Sequence, residues 1–212
     1  MPYSLDHSRQ TRARIVAAAR KLFNRNGFDG VTIGQIMEEA GLTHGGFYRH
    51  FSSKSDLYAE VLDCFFTNPE WSCGWKGMEE FDEAADLAPQ IIRAYLSNAH
   101  FDDVENACPM VALPSDVARA SANAKRAYQA AFEGMVQILE QGAGSPNRTS
   151  ALAIAALCVG GMVIARASDD RLMGDELRQA AMLVALKLGG WDSRNPAPRV
   201  PAPDFNSADS GP

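Results

Sequence analysis

The sequence has few cysteines, no long hydrophobic run at its start and no catalytic signature. Its four cysteines, Cys64, Cys73, Cys108 and Cys158, lie far apart and form no CxxC or CxxH pair. Neither a zinc site nor a dense disulfide framework is therefore expected. The first residues, MPYSLDHSRQ, lack the apolar core of a signal peptide. These absences favour a reducing, cytoplasmic compartment.

The motifs of common enzyme classes are absent as well. The sequence contains no glycine-rich phosphate loop, no GxSxG and no HExxH. Its acidic pairs, Asp102-Asp103 and Asp169-Asp170, are adjacent residues at predicted helix boundaries and are better explained as solvated loop carboxylates. We therefore expect no catalytic residues, no metal ligands and no cofactor, in a protein that is not an enzyme.

The composition is that of a soluble globular protein with an uneven charge distribution. The 212 residues are 46% hydrophobic and 22% charged, and their net charge of -6 argues against a general polyanion binder. Residues 1–60 nevertheless carry +2 and the remainder carries -8. A basic end on an acidic body is expected where that end meets nucleic acid, although chance explains so small a difference equally well.

Apolar residues recur at helical spacing almost throughout, and no segment alternates as a strand does. The predicted class is all-α, with an N-terminal three-helix helix-turn-helix domain and a larger helical domain for ligand binding and dimerisation. We expect residues 8–55 to form the first domain, with its motif at about 32–51, and 56–190 to form the second. The proline-rich segment 191–212 buries too little to offset its ordering entropy and is predicted to be disordered.

The segment 32–51 has the spacing of a helix-turn-helix motif. Thr32 and Gln35 form a capping box that opens a short helix, Gly41 ends it, and Thr43 opens the next. The second helix of such a motif lies in the major groove, and its first residues reach base edges. The candidate base contacts are therefore Thr43, His44 and Gly45. Two successive glycines, Gly45 and Gly46, make sense if the backbone must approach DNA closely.

Polar side chains around this motif suit DNA phosphates, whose contacts fix register without reading sequence. Tyr48 offers a hydroxyl, Lys54 a cation, and Thr32 an exposed cap. For His50, packing against the following helix and DNA contact are equally compatible with the sequence. Three arginines at the start of the chain are candidates for a basic arm beside the duplex, namely Arg9, Arg12 and Arg14.

The stretch from Gly27 to Leu57, G-F-x-G-V-T-I-x-x-I-x-x-x-A-G-L-T-x-G-G-F-Y-R-H-F-x-x-K-x-x-L, closely resembles the N-terminal domain of the tetracycline-repressor (TetR) family. The resemblance covers about a quarter of the chain. It implies an all-helical homodimer on a palindromic operator, with a ligand in the C-terminal domain that weakens DNA binding. It also implies base contacts from Thr43, His44 and Gly45 and backbone contacts from Thr32, Tyr48, His50 and Lys54. Gly34 replaces a longer polar side chain of some members, which predicts fewer base contacts.

Two apolar helices are predicted near the C-terminus, at about 149–167 and 174–188. Residues 151–165 are uncharged but too few for a membrane span, which needs about 20 residues. The two helices carry more apolar surface than one core needs, so we expect a dimer interface and no membrane contact. A deep monomeric core is the alternative. The resemblance agrees, because the last two long helices of the family pair across the dimer.

The resemblance implies a small-molecule effector in the C-terminal domain, and pockets for such ligands are mostly apolar with a few polar groups. Candidate lining residues are Trp71, Trp75, Met110 and Phe132, although ordinary core packing explains each one at least as well. Cys108 precedes Pro109 at a predicted helix N-terminus, a setting that favours the thiolate. Redox sensing by Cys108 is therefore a hypothesis, with a buried inert thiol as its alternative.

The sequence thus predicts a ligand-responsive transcriptional regulator, a repressor that binds a DNA operator as a homodimer and is released by an unidentified effector. An activator is also compatible, since the sign of regulation depends on where the operator lies. The alternative from another class is an all-α small-molecule-binding or scaffold protein without DNA binding. That alternative predicts no salt-dependent affinity for DNA.

Overall fold

The computed structural model describes residues 5–67, 85–112, 114–144 and 146–192, and within these ranges it contains helices and no strand. The predicted all-α class is confirmed. The helices are α1 (Leu5–Asn26), α2 (Ile33–Glu39), a 3₁₀ helix (His44–Arg49), α3 (Lys54–Thr67), α4 (Leu87–Tyr95), α5 (Asn98–Asp102), α6 (Pro109–Ala112), α7 (Pro114–Arg119), α8 (Ala122–Glu140), α9 (Arg148–Ala167) and α10 (Arg171–Leu188).

The N-terminal core joins α1, α2, the 3₁₀ helix and α3. Phe23 of α1 and Tyr58 of α3 are fully buried, and their rings meet edge to face with centroids 5.3 Å apart. Val117 of α7 and Ala124 of α8 are buried in the same cluster. The predicted boundary between residues 55 and 56 falls inside α3, whose buried residues pack in this N-terminal core.

The C-terminal core is built mainly from α4, α8, α9 and α10. Gly161 of α9 lies where α10 approaches closely, because a Cβ there would be 2.9 Å from the Cβ of Ala181. A larger residue would push the two helices apart. Its neighbour Gly160 faces open space within the chain, so the same packing reason does not apply to it.

The segment after α10 departs from the expectation of a disordered tail that begins at residue 191. Trp191 is only 5% exposed, and its indole N–H donates to Oδ2 of Asp86 at 2.8 Å. The same carboxylate accepts from the backbone N–H groups of Ala88 and Ala143. The order at Trp191 is explained by its own side chain, because the ring is buried and its N–H group is hydrogen-bonded to Asp86, the N-cap of α4. The rest of the predicted tail, from residue 193, lies outside the described residues.

The outer faces of α9 and α10 leave large apolar side chains uncovered. The helix α9 has 20 residues with a mean hydropathy of 1.9 and only 39% burial across its most apolar window. By length and composition alone this helix could cross a membrane. The uncharged run of residues 151–165 is shorter than the helix and by itself does not predict this. The exposed apolar side chains of the two helices are Leu152, Ile164, Leu172, Met173, Leu183, Val184 and Leu188.

Candidate nucleic-acid interface

The first helix of the motif, α2, begins as the sequence predicts. The backbone N–H of Gln35 donates to Oγ1 of Thr32 at 3.2 Å, and the Gln35 side chain accepts from the Thr32 N–H at 2.8 Å. The predicted capping box is confirmed. Gly41 then adopts a φ of 64°, which favours glycine, and turns the chain out of α2. The exposed Thr32 side chain is thus fixed at the N-terminus of α2.

The second helix of the motif is a six-residue 3₁₀ helix, which we call the recognition segment (His44–Arg49). Thr43 precedes it in an extended conformation but makes no side-chain capping hydrogen bond. Two glycines give the segment little intrinsic helical stability. Phe47 is fully buried beneath it and Phe51 is nearly so, with their ring centroids 5.7 Å apart. These two buried rings anchor the segment.

The predicted base-contacting residues are consecutive in the chain and accessible to a partner. Thr43, His44 and Gly45 are all exposed. Tyr48 is 62% exposed and packs edge to face on Phe47, with its hydroxyl free to meet solvent or a ligand. A Cβ on Gly45 would meet no heavy atom within 4 Å, so the fold of the chain does not require glycine there.

A groove of about 390 Å³ runs between the first turns of α1 and the recognition segment. His50 is half-buried and lines this groove. Its pKa is lowered mainly by burial, and the positive charges of Arg12 and Arg49 lower it further. Thr11 and Arg49 also line the groove, and neither is among the residues predicted from the sequence. The positive charge of Arg49, next to His50 in the chain, is the sequence feature that could have identified Arg49. The groove is lined by His7, Ser8, Thr11, Met37, Leu42, Thr43, Gly46, Arg49 and His50.

Lys54 lies at the start of α3 and is engaged within the protein. Its Nζ donates to the carbonyls of Phe28 and Val31, each at 2.8 Å, and sits 4.2 Å from the centroid of the Phe28 ring. Two of its three N–H donors therefore hold the turn between α1 and α2. Contact between Lys54 and a DNA phosphate stays a prediction, for which one donor remains.

Two of the three arginines expected to form a basic arm, Arg9, Arg12 and Arg14, are engaged within the protein, so the arm stays a prediction. Arg12 forms a bidentate ion pair with Glu60 of α3, and Arg14 donates to the carbonyl of Ala40 at 2.5 Å. Both guanidinium groups lie within the described α1 and bridge to neighbouring elements. Carbonyls and a carboxylate of these elements accept their hydrogen bonds, which are favourable partners for a guanidinium.

The predicted effector residues are only partly within the described chain. Trp71 and Trp75 lie outside the described residues. Met110 is fully buried in the C-terminal core, and the Tyr128 hydroxyl donates to its carbonyl at 3.2 Å. Phe132 is half-buried and packs against the same core. Core packing thus accounts for both residues, and a ligand contact for either stays a prediction.

The hypothesis of a reactive thiolate at Cys108 is opposed by its surroundings. Cys108 is fully buried, and burial raises the pKa of its thiol to about 12. A backbone hydrogen bond from Met110, at the start of α6, acts in the predicted direction but is weaker than the cost of desolvation. The buried, inert thiol is the alternative that the structure favours.

A capped helix, a glycine turn and a short second helix with an exposed polar face are the arrangement of a helix-turn-helix protein. Residues 15–61 match the family model described as bacterial regulatory proteins, tetR family. Over 61 residues the chain is 36% identical to the HTH-type transcriptional regulator AcrR of Shigella flexneri. This match covers 29% of this chain and 28% of AcrR. The chain is 38% identical over 58 residues to TtgR of Pseudomonas putida, over 27% of this chain and 28% of that protein.

The matched part thus spans less than a third of these relatives, but similarity of fold extends over most of the chain. The structure of reduced NemR from E. coli aligns with a TM-score of 0.64 at 19% identity, covering 84% of this chain and 96% of that one. A TetR regulator from Chloroflexus aurantiacus aligns with a TM-score of 0.60 at 21% identity, covering 90% and 98%. The N-terminal domain is therefore similar in sequence to that of tetR-family regulators, and the chain shares their fold over most of its length.

Proposed function

We propose that this protein is a cytoplasmic transcriptional regulator, a repressor, which binds a palindromic DNA operator as a homodimer and is released by a small-molecule effector. The names of the curated relatives, which are transcriptional regulators, support this role over an enzymatic one. The net positive charge of residues 1–60 on an otherwise acidic chain is compatible with a DNA-facing end. The single observation that carries the proposal is the open surface at Gly45.

Gly45 is exposed in the recognition segment, has no neighbour within 4 Å of a Cβ position, and has no left-handed backbone. Alanine is intrinsically more stable than glycine in a helix by about 0.5–1 kcal/mol. Glycine is thus unfavourable for the isolated chain at this position. A DNA backbone or base edge in van der Waals contact with Gly45 supplies the reason for its presence.

The experiment compares Gly45→Ala with a matched change, Gly134→Ala, which also meets open space but lies in α8. An operator is first selected from random DNA, and its affinity is measured by fluorescence anisotropy. We expect Gly45→Ala to keep or raise the melting temperature and to weaken binding by about tenfold to a hundredfold, the equivalent of a steric cost of about 1–3 kcal/mol. Gly134→Ala should leave affinity unchanged. Equal affinities for both variants would contradict the proposed contact.

Side-chain variants separate sequence reading from phosphate contact. We expect Tyr48→Phe to weaken binding to matched and scrambled operators alike, whereas His44→Ala changes the preference between them. Affinity should fall steeply with salt concentration as counterions are released. A protein that binds no oligonucleotide at low salt would instead support the small-molecule-binding or scaffold alternative.

The homodimer is proposed to form through α9 and α10. Seven large apolar side chains on these helices are exposed in one chain, and Gly160 presents a flat, open position among them. Pairing of the two helices with those of a second copy would cover this surface. It would place two recognition segments about 34–36 Å apart, one turn of DNA.

A further inference from the structure

The recognition segment has little that holds it in place by itself. It is six residues of 3₁₀ helix, whereas runs longer than three or four residues are uncommon because the hydrogen-bond geometry is poor. Its first residues include Gly45 and Gly46, and Thr43 does not cap it through a side chain. Its orientation must therefore be fixed by contacts from the neighbouring helices.

Arg12 of α1 makes such contacts at the end of the segment. Its Nη1 donates to the carbonyl of His50, the residue that caps the segment C-terminally. Its guanidinium carbon lies 4.1 Å from the centroid of the Phe51 ring. A cation at the carbonyl end of a helical turn and over an aromatic face is favourable on both counts.

Glu60 of α3 fixes the same guanidinium group from the other side. Nε of Arg12 donates to Oε1 of Glu60 at 2.8 Å, and Nη2 donates to Oε2. All three nitrogen atoms of the fork are thus directed at His50 or Glu60. A planar bidentate pair imposes a direction on the guanidinium that lysine cannot reproduce.

We propose that Arg12, oriented by Glu60, is a positioning residue that sets the orientation of the recognition segment for DNA binding. This inference rests on the proposed function, since it concerns the same DNA-binding surface. Arg12 acts through the His50 carbonyl and the Phe51 ring and makes no phosphate contact of its own. The pair is partly exposed, with side-chain exposures of 40% and 24%, so its contribution to global stability is small. Its effect lies in geometry.

The sign of the effect of Glu60→Gln discriminates between positioning and direct phosphate contact. If Arg12 contacted phosphate, removal of the nearby carboxylate would strengthen DNA binding. If Arg12 is a positioning residue, Glu60→Gln frees the guanidinium to turn and weakens binding. Arg12→Lys keeps the charge but loses the fork, so it should weaken binding in the same way.

The experiment measures operator affinity against salt concentration for the full-length wild type, Arg12→Lys, Glu60→Gln and the double variant. Lys125→Ala, which removes an exposed cation of α8, serves as the control. We expect each single change to weaken binding on the order of tenfold through lost preorganisation. The double variant should be no weaker than either single variant, since both changes break one interaction. The salt slope should stay at its wild-type value, whereas loss of a phosphate contact lowers it by about 0.9.

Hydrogen exchange provides a readout that does not depend on DNA. In the free protein, both variants should speed exchange at the amides of Gly46 and His50, which donate to Thr43 and Phe47, with little change in melting temperature. Tighter binding by Glu60→Gln, a reduced slope for both single variants, or unchanged affinity would each overturn the inference while leaving the proposed function intact. A wild type that binds no DNA would overturn both.

Discussion

The recognition segment and the last two helices, α9 and α10, differ in length, in polarity and in what supports them. The recognition segment is short and polar, contains two glycines, and is held at its C-terminal end by a cation from α1. The helices α9 and α10 are 20 and 18 residues long and leave large apolar side chains uncovered. The comparison teaches that the surface proposed to bind DNA exposes backbone and polar groups that neighbouring helices support. The surface proposed to bind a second copy instead exposes excess apolar area on long helices.

Breaking the apolar surface should have the largest effect. The double variant Leu183→Glu/Val184→Glu places two carboxylates on exposed positions of α10, where the single chain tolerates them. In a dimer each becomes buried and unpaired at a cost of several kcal/mol. We expect the protein to sediment as a monomer at micromolar concentration. Operator affinity should fall by about 10²–10⁴-fold, because the two half-sites no longer bind as one unit.

The control is Val104→Glu, which puts one carboxylate on an exposed apolar residue of the α5–α6 loop, outside α9 and α10. It should sediment as the wild type does. A double variant that remains dimeric would show that the dimer interface lies elsewhere, and a monomeric wild type would remove the proposed assembly.

The second largest expected effect is the pH dependence of stability that buried His100 causes in the C-terminal part of the chain. Buried His100 places Nδ1 2.7 Å from the Tyr95 carbonyl, and its Nε2 accepts from the Cys108 N–H at 3.3 Å. Burial lowers its pKa to about 4, with a smaller opposing contribution from the Tyr95 hydrogen bond and further lowering by Arg166. The unfolded state then binds the proton more readily than the folded one. Stability is therefore full above about pH 6.5 and is lost as pH falls towards 4.

At 1.36 kcal/mol per unit of pKa difference, the loss from His100 amounts to about 3 kcal/mol between these limits. Urea unfolding at pH 7.5 and pH 5.0 measures most of it, and NMR titration of the His100 ring assigns it. A His100→Gln variant should show a smaller pH dependence over this range. A ring that titrates near pH 6.5 in the folded protein would contradict the prediction.

The smallest expected effect distinguishes two threonines of the helix-turn-helix motif. Thr32 and Thr43 both precede a helix in extended conformation, but only Thr32 caps through its side chain. Thr32→Ala should lower the free energy of unfolding by about 1 kcal/mol, a typical loss for an N-cap. Thr43→Ala should leave stability within about 0.5 kcal/mol of the wild type, as for an exposed residue, and change operator preference instead. Thermal and urea unfolding compare the two, and equal losses would count against separate roles.

Several features of the fold follow from local patterns that are visible in the sequence. The capping box at Thr32, the turn at Gly41 and the two buried rings of Phe47 and Phe51 depend on residues only a few positions apart. Local chemistry of this kind survives folding because it satisfies backbone groups that any context leaves unsatisfied. The boundaries of α9 and α10 were predictable to within three residues at either end for the same reason.

The roles of the cations were not visible in the sequence. Arg12, Arg14 and Lys54 look alike as basic residues near a DNA-binding motif, yet each donates to a carbonyl within the fold. The accepting carbonyls lie between 23 and 38 positions away along the chain. Charge alone does not say whether a guanidinium meets a phosphate or an internal carbonyl, since both are favourable partners.

The sequence by itself determined the helical class, the helix-turn-helix motif and the excess of apolar residues on the last two helices. Each of these depends on the spacing of residues along a single segment. Only the tertiary structure decided that Cys108 is buried with a raised pKa, that Trp191 is held by Asp86 across the chain, and that Arg12 holds the end of the recognition segment. Desolvation and long-range hydrogen bonds depend on which segments meet, and that is fixed by packing.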